Sequence, residues 1–155
     1  MPPEGVPEAL QLRAEDADDL AVISACLQDA LVPVGDIAYV PQERSFLFVA
    51  NRFRWEARRG GARVPENYER VLCAVAFDEI ESVRYRGFRR DERGRILSLL
   101  AMRPEGAGAN GAVRLDFADG ATVRLAANRI LCRLKDFGLP WPTPWRPGHD
   151  LGEGR

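Results

Sequence analysis

Leu115-Asp116-Phe117-Ala118-Asp119-Gly120-Ala121-Thr122-Val123 is the stretch on which the reading of the chain turns. Apolar and polar residues alternate on both sides of Asp119-Gly120. Asp-Gly between two alternating runs predicts a two-residue hairpin turn, because both central residues must tolerate positive φ. Upstream, further alternating runs predict strands over 36–40, 45–53, 69–77, 80–87, 95–103 and 111–118, and downstream over 121–127. Phe77-Asp78-Glu79-Ile80-Glu81-Ser82-Val83 carries the turn between two of them, and Asp91-Glu92-Arg93-Gly94 another. In the 45–53 run, Phe46, Phe48 and Ala50 share one face and Leu47 and Val49 the other, so that strand is expected to be central or covered on both sides.

The segment after the hairpin is ambiguous. Val123, Leu125 and Ala127 alternate as a strand, whereas Ile130, Leu131 and Leu134 have helical spacing. Gly138 followed by Pro140 suits a helix stop, which predicts a helix over Asn128–Phe137. Near the N-terminus Asp16 is placed as a helix cap, with Asp18 and Asp19 at the positive end of the dipole. Leu20, Ile23, Leu27, Ala30 and Leu31 follow on one helical face. Pro33 stops that helix, since the residue before a proline is pushed toward extended geometry. The acidic polar face disfavours anionic lipid, so the apolar stripe is expected to pack on the chain's own sheet.

The chain of 155 residues reads as a single domain, with a loose start over 1–7, a globular core over 8–138 and a Pro/Trp-rich tail over 139–155. Trp141 and Trp145 are expected to anchor that tail. The core residues expected from alternation include Leu72, Ala74, Ile80, Val83, Leu97, Leu99, Leu115, Phe117, Val123 and Leu125, with Leu131 and Leu134 packing on them. A net charge of −1 hides an asymmetry: residues 1–31 carry a balance of −6 and residues 52–95 a balance of +4. Lys135 is the only lysine; every other basic residue is arginine.

Seven strands and then a helix is an order that resembles the pleckstrin-homology-like fold over about residues 32–138, a mainly β (α+β) meander or split barrel with a C-terminal helix and here an added N-terminal one. In detail the chain resembles an alphaproteobacterial family known only as a domain of unknown function. Glu15-Asp16-Ala17-Asp18-Asp19-Leu20 through Cys26-Leu27-Gln28-Asp29-Ala30, Asn51-Arg52-Phe53-Arg54-Trp55-Glu56 and Trp141 through His149 carry that resemblance. It implies no activity and no functional residues.

Motifs for catalysis lead nowhere. Gly106-Ala107-Gly108-Ala109-Asn110-Gly111 spells a dinucleotide fingerprint, but a strand follows where a helix must receive the pyrophosphate. His149, the one histidine, lies in the tail beside Asp150, with neither an orienting partner nor enough ligands for a metal. Cys26, Cys73 and Cys132 have no metal or redox spacing and read as buried small hydrophobes in a reducing compartment. No secretory signal and no apolar run of ~18 residues appear, so a cytoplasmic location is expected.

Arg52-Phe53-Arg54-Trp55, with Arg58, Arg59 and Arg63 behind, sets guanidinium forks beside aromatics, a combination suited to phosphate, carboxylate or nucleic acid. A second basic group surrounds the loop that follows the 80–87 strand. If the two loops share an edge, Arg52, Arg54, Trp55, Arg86, Arg89 and Arg90 form one site for an anionic partner. The function expected is a non-enzymatic binding or assembly module, with no cofactor and no metal. An RNA- or nucleotide-associated protein using the same Arg-aromatic edge is the alternative, and a small-molecule enzyme comes third.

Overall fold

A computed structural model describes residues 9–55, 68–106 and 110–143. The strands are β1 (Gln11–Ala14), β2 (Leu31–Pro33), β3 (Ile37–Val40), β4 (Ser45–Phe53), β5 (Tyr68–Phe77), β6 (Ser82–Arg86), β7 (Ile96–Glu105), β8 (Ala112–Phe117), β9 (Thr122–Ala126) and β10 (Cys132–Thr143), with one α-helix, α1 (Ala17–Cys26). All pairings are antiparallel, in the order β1-β10-β5-β4-β2-β7-β8-β9-β6, and β3 also pairs with β4.

This architecture overturns the expected seven-stranded pleckstrin-homology-like fold with two helices: the described residues form ten strands and one α-helix. The expected helix over Asn128–Phe137 is the main reason. There the buried residues are Cys132, Leu134 and Asp136, and the exposed ones Arg133, Lys135 and Phe137, which is the period of a strand. The helical spacing of Ile130, Leu131 and Leu134 is outvoted by hydrogen bonding, since β10 fills the edge of β5 from Cys132–Phe77 to Thr143–Tyr68. Gly138 does take positive φ, at 77°, but to make a bulge between Phe137 and Trp141 rather than to end a helix. Pro140 sits within that irregularity, where a missing N–H costs the ladder least.

The hairpin forms at Asp119-Gly120, but its turn takes three residues, Ala118–Gly120, rather than the expected two, since Phe117 N donates to Ala121 O at 2.8 Å. Asp119 and Gly120 have φ of 67° and 82°, and β8 and β9 pair through Asp116–Thr122 and Leu115–Val123. β5 has the opposite phase from that expected. Val71, Cys73, Val75 and Phe77 are buried, while Leu72 is half-buried and Ala74 exposed. Both phases of that run are apolar, so only the pairing of Phe46 with Phe77 and Phe48 with Val75 decides which faces in.

α1 opens on Asp16, whose carboxylate accepts from Asp19 N at 2.8 Å. It stops at Cys26, short of Leu31, because Asp29 turns left-handed (φ 64°) and donates its N–H to Leu99 O at 2.7 Å. Leu31 thereby becomes a strand residue and starts β2. That short strand joins two half-sheets, pairing with β4 at Leu31–Asn51 and with β7 from Leu31–Ser98 to Pro33–Ile96. The sheet folds over so that Phe46, Phe48 and Val75 from one half meet Leu99, Leu115 and Val123 from the other in one core.

Leu20, Ile23 and Leu27 of the helix and its cap are fully buried in that core. Ile23→Ala or Leu27→Ala is therefore expected to lower unfolding stability by about 2–5 kcal/mol, read from chemical denaturation. An unchanged denaturation midpoint for either would mean that the helix does not seal the core.

Candidate functional site

The arginines of the sequence fall into places that differ sharply. Arg52 on β4 is fully buried, and its fork is filled. Its Nε donates to Asp136 Oδ1 at 2.9 Å and its Nη2 to Asp136 Oδ2 at 2.7 Å, a bidentate pair that spans from β4 across β5 to β10. A third donor, Nη1, reaches Phe53 O at 3.0 Å. Arg70 is buried beside this pair, donates to Asn51 Oδ1 at 2.9 Å and lies 3.8 Å from the centre of the Phe53 ring. Burial pushes its pKa down to about 10.

Arg54 pairs with Glu69, and Trp55 donates from its indole to Gln28 O at 3.3 Å. Arg58, Arg59 and Arg63 lie outside the described residues, as do Ala107–Ala109 within the glycine motif, Trp145, His149 and the first eight residues. Trp141 pairs through its backbone with Arg70.

Arg86, Arg89 and Arg90 are exposed at the other half of the sheet. Arg89 pairs with Asp91 at 2.6 Å, and Arg90 lies 4.8 Å over the Tyr85 ring. Strand register separates this group from Arg52, Arg54 and Trp55. Leu31 faces both Asn51 and Ser98, and β4 and β7, each antiparallel to β2, run the same way. From that shared level, residues 52–55 continue in one direction and residues 95 back to 89 in the other. Gly35 N, beyond the far end of β2, meets Arg93 O at 3.1 Å.

The register instead assembles an arginine row that alternation alone does not reveal. Arg84 of β6 faces Arg124 of β9, Arg124 faces Arg114 of β8, and Arg114 faces Arg103 of β7. Four like charges directly opposite one another are unfavourable in a sheet. Two carboxylates on the same face relieve part of it. Asp116 takes Arg114 Nε at 2.7 Å and Arg103 at 3.2 Å, while Glu105 takes Arg124 Nε at 3.0 Å and Arg114 at 3.4 Å. The hydrogen bond donated by Arg124 holds the Glu105 carboxyl below its ordinary range, and the one Arg114 donates to Asp116 raises the Arg114 guanidinium. Arg84 and Arg86 make no ion pair among the described residues. Arg84, Arg114 and Arg124 of the row line a groove of about 670 Å³ together with Arg86 and Thr122.

A second cavity of about 300 Å³ is lined by Arg13, Glu15, Asp78, Leu131, Cys132 and Arg133. Burial pushes the Cys132 thiol up to about 12, and that of Cys73 likewise, so neither supplies a thiolate near neutral pH. Among the described residues no group of histidine, cysteine and carboxylate side chains could hold a metal ion.

The Arg52–Asp136 pair sets its own test. Asp136→Ala strands a buried guanidinium and is expected to cost about 3–5 kcal/mol. Replacing both residues with apolar ones of similar volume, Arg52→Met with Asp136→Leu, should cost far less, and a urea double-mutant cycle measures the difference. Equal losses would mean that the pair's charges do not depend on each other.

No curated protein and no solved structure matches the chain. No helix of the described residues is long and apolar enough to cross a membrane. A family model does match over residues 10–149, a span that takes in every strand, the helix and the whole arginine row, and the chain belongs to the family described as "Protein of unknown function (DUF2948)".

Proposed function

We propose that the protein is a non-enzymatic binding module that takes an acidic polypeptide partner on the outer face of β6, β9, β8 and β7. The observation that carries this reading is the cross-strand row Arg84–Arg124–Arg114–Arg103, with Arg86 beside it. Glu105 and Asp116 offset part of the charge, and Arg84 and Arg86 keep their forks open to solvent at the sheet's edge. Each fork matches a carboxylate in a planar two-point contact. Carboxylates within the row favour discrete acidic side chains over a continuous polyphosphate, which Glu105 and Asp116 would repel. The net charge of −1 also disfavours non-specific nucleic-acid coating, which needs a broadly basic surface. Of the six residues read as one site from the sequence, Arg86 belongs to this face, and Arg89 and Arg90 lie in the loop beyond it. Free cysteines with buried thiols at positions 73 and 132 suit a reducing compartment, which supports a cytoplasmic location. The resemblance of Glu15–Ala30 and Asn51–Glu56 to alphaproteobacterial sequences supports a bacterial source.

Poly-L-glutamate and a single-stranded RNA 20-mer serve as probes, each titrated at low and high salt. Poly-L-glutamate should bind, lose affinity with salt, and bind about tenfold more weakly to the Arg84→Glu/Arg86→Glu variant, equivalent to about 1.4 kcal/mol. Tighter RNA binding with the same dependence on Arg84 and Arg86 would replace this reading with the nucleic-acid one. Binding of neither probe would overturn both.

A further inference from the structure

The second half-sheet does not close on the first by strand pairing. Among the described residues β6 pairs only with β9 and β3 only with β4, so each keeps one edge there without a ladder. The two edges are pinned near one another at both ends. Ile80 N, just before β6, donates to Arg44 O at 2.8 Å just before β4. Gly35 N, just before β3, donates to Arg93 O at 3.1 Å in the loop after β6. Between the pins β3 and β6 run antiparallel, because Arg44 follows β3 and Ile80 precedes β6.

Side chains that point inward along this seam are not fully covered. Ile37 and Tyr39 face the same way as their partners Phe48 and Phe46, yet are only half-buried where Phe46 and Phe48 are sealed. Val83 and Tyr85 likewise face the way of Leu125 and Val123, and are half-buried where those are fully buried. Among the described residues the buried Tyr85 hydroxyl has no hydrogen-bond partner. Tyr39 directs its own hydroxyl to Ile80 O at 2.8 Å, so it does not satisfy Tyr85. An edge strand with open N–H and C=O groups is a template for another strand, and charged residues on it decide which strand is accepted.

We infer that the acidic partner enters as an extended segment that adds to the open edge of β6 and fills the seam toward β3. This rests on the reading of the arginine face as an anionic-partner site and names how that partner is held. Its residues alternate. Apolar side chains turn inward against Tyr39, Val83 and Tyr85, and acidic ones turn outward on the face of Arg84 and Arg86. Successive outward residues of two strands share a spacing, so carboxylates two apart on the partner stand directly opposite Arg84 and Arg86. The added strand thus puts negative charge at the end of the arginine row where no carboxylate of the described residues is paired. Arg90 over the Tyr85 ring holds positive charge at one end of the same seam, and at the other Arg44 is offset by Glu81, 3.8 Å away.

A nine-residue peptide alternating Glu and Val serves as the probe. Its controls are the Lys–Val counterpart and the same Glu–Val peptide with alternate backbone nitrogens methylated. Binding is followed by two-dimensional amide spectra of the full chain. The Glu–Val peptide should shift amides of Ser82–Arg86 and Ile37–Val40. Methylation of its backbone should weaken it about tenfold or more, since main-chain hydrogen bonds hold an added strand. The Lys–Val peptide should not bind. Equal binding of the methylated peptide, or shifts confined to β8 and β9, would overturn the strand addition and leave the arginine-face reading standing. Poly-L-glutamate binding without Glu–Val binding would do the same. Failure of both acidic probes would remove the two together.

Discussion

Arg52 and Asp136 hold the first half-sheet to one register. A fully buried guanidinium and a buried carboxylate lose water on both sides, and the loss is tolerable only where each fills the other's hydrogen-bonding positions. That requirement fixes more than two side chains. Asp136 must face inward, so β10 must be extended, and β10 must lie beside β5 at the offset that pairs Asp136 with Cys73. The same carboxylate accepts from Leu10 N at 3.3 Å, and Asp136 N returns a bond to Leu10 O at 2.9 Å, which sets where β1 joins. Sliding β10 by one residue would send Asp136 to solvent and leave Arg52 alone in the core.

Much of the β structure is legible in local chemistry, and what is not legible has physical causes. The Asp119-Gly120 turn, the Asp16 cap and the alternation of β4, β8 and β9 each depend on neighbours in sequence, so short-range rules reach them. β10 and the phase of β5 depend on partners far along the chain. Arg52 and Asp136 are separated by 84 positions, and no periodicity within Asn128–Phe137 shows that an arginine waits for Asp136. β2 escapes for another reason. Three residues are too few to show a period, and Leu31 belongs by spacing to the helical stripe from which Asp29 removes it.

The candidate site follows the same division. Arg52-Phe53-Arg54-Trp55 looks like an exposed basic-aromatic edge because the string lacks Asp136 and Glu69, the acids that occupy its guanidinium groups. The face that does gather arginines takes one residue from each of four strands, Arg84, Arg103, Arg114 and Arg124, and each is an ordinary outward residue when read alone. Only the register makes them neighbours. Arg86 is common to both readings because β6 is short, at the sheet's edge, and already visible from its alternation.

α1 packs beside β7, the strand that ends the arginine row. Ser24 Oγ accepts the N–H of Met102 at 2.9 Å, so the helix packs on β7 at the level where Met102 turns into the core. Arg103, the next residue, points to the opposite face and joins the arginine row. Among the described residues Asp16, Asp18 and Asp19 make no ion pair with the arginines of the row, whose carboxylate partners are Glu105 and Asp116. An acidic segment approaching the row meets Glu105 and Asp116 as the carboxylates placed within it, and both are already engaged by arginines. The arrangement suits recognition of a few placed carboxylates, with Arg84 and Arg86 at the open edge as the first to be met.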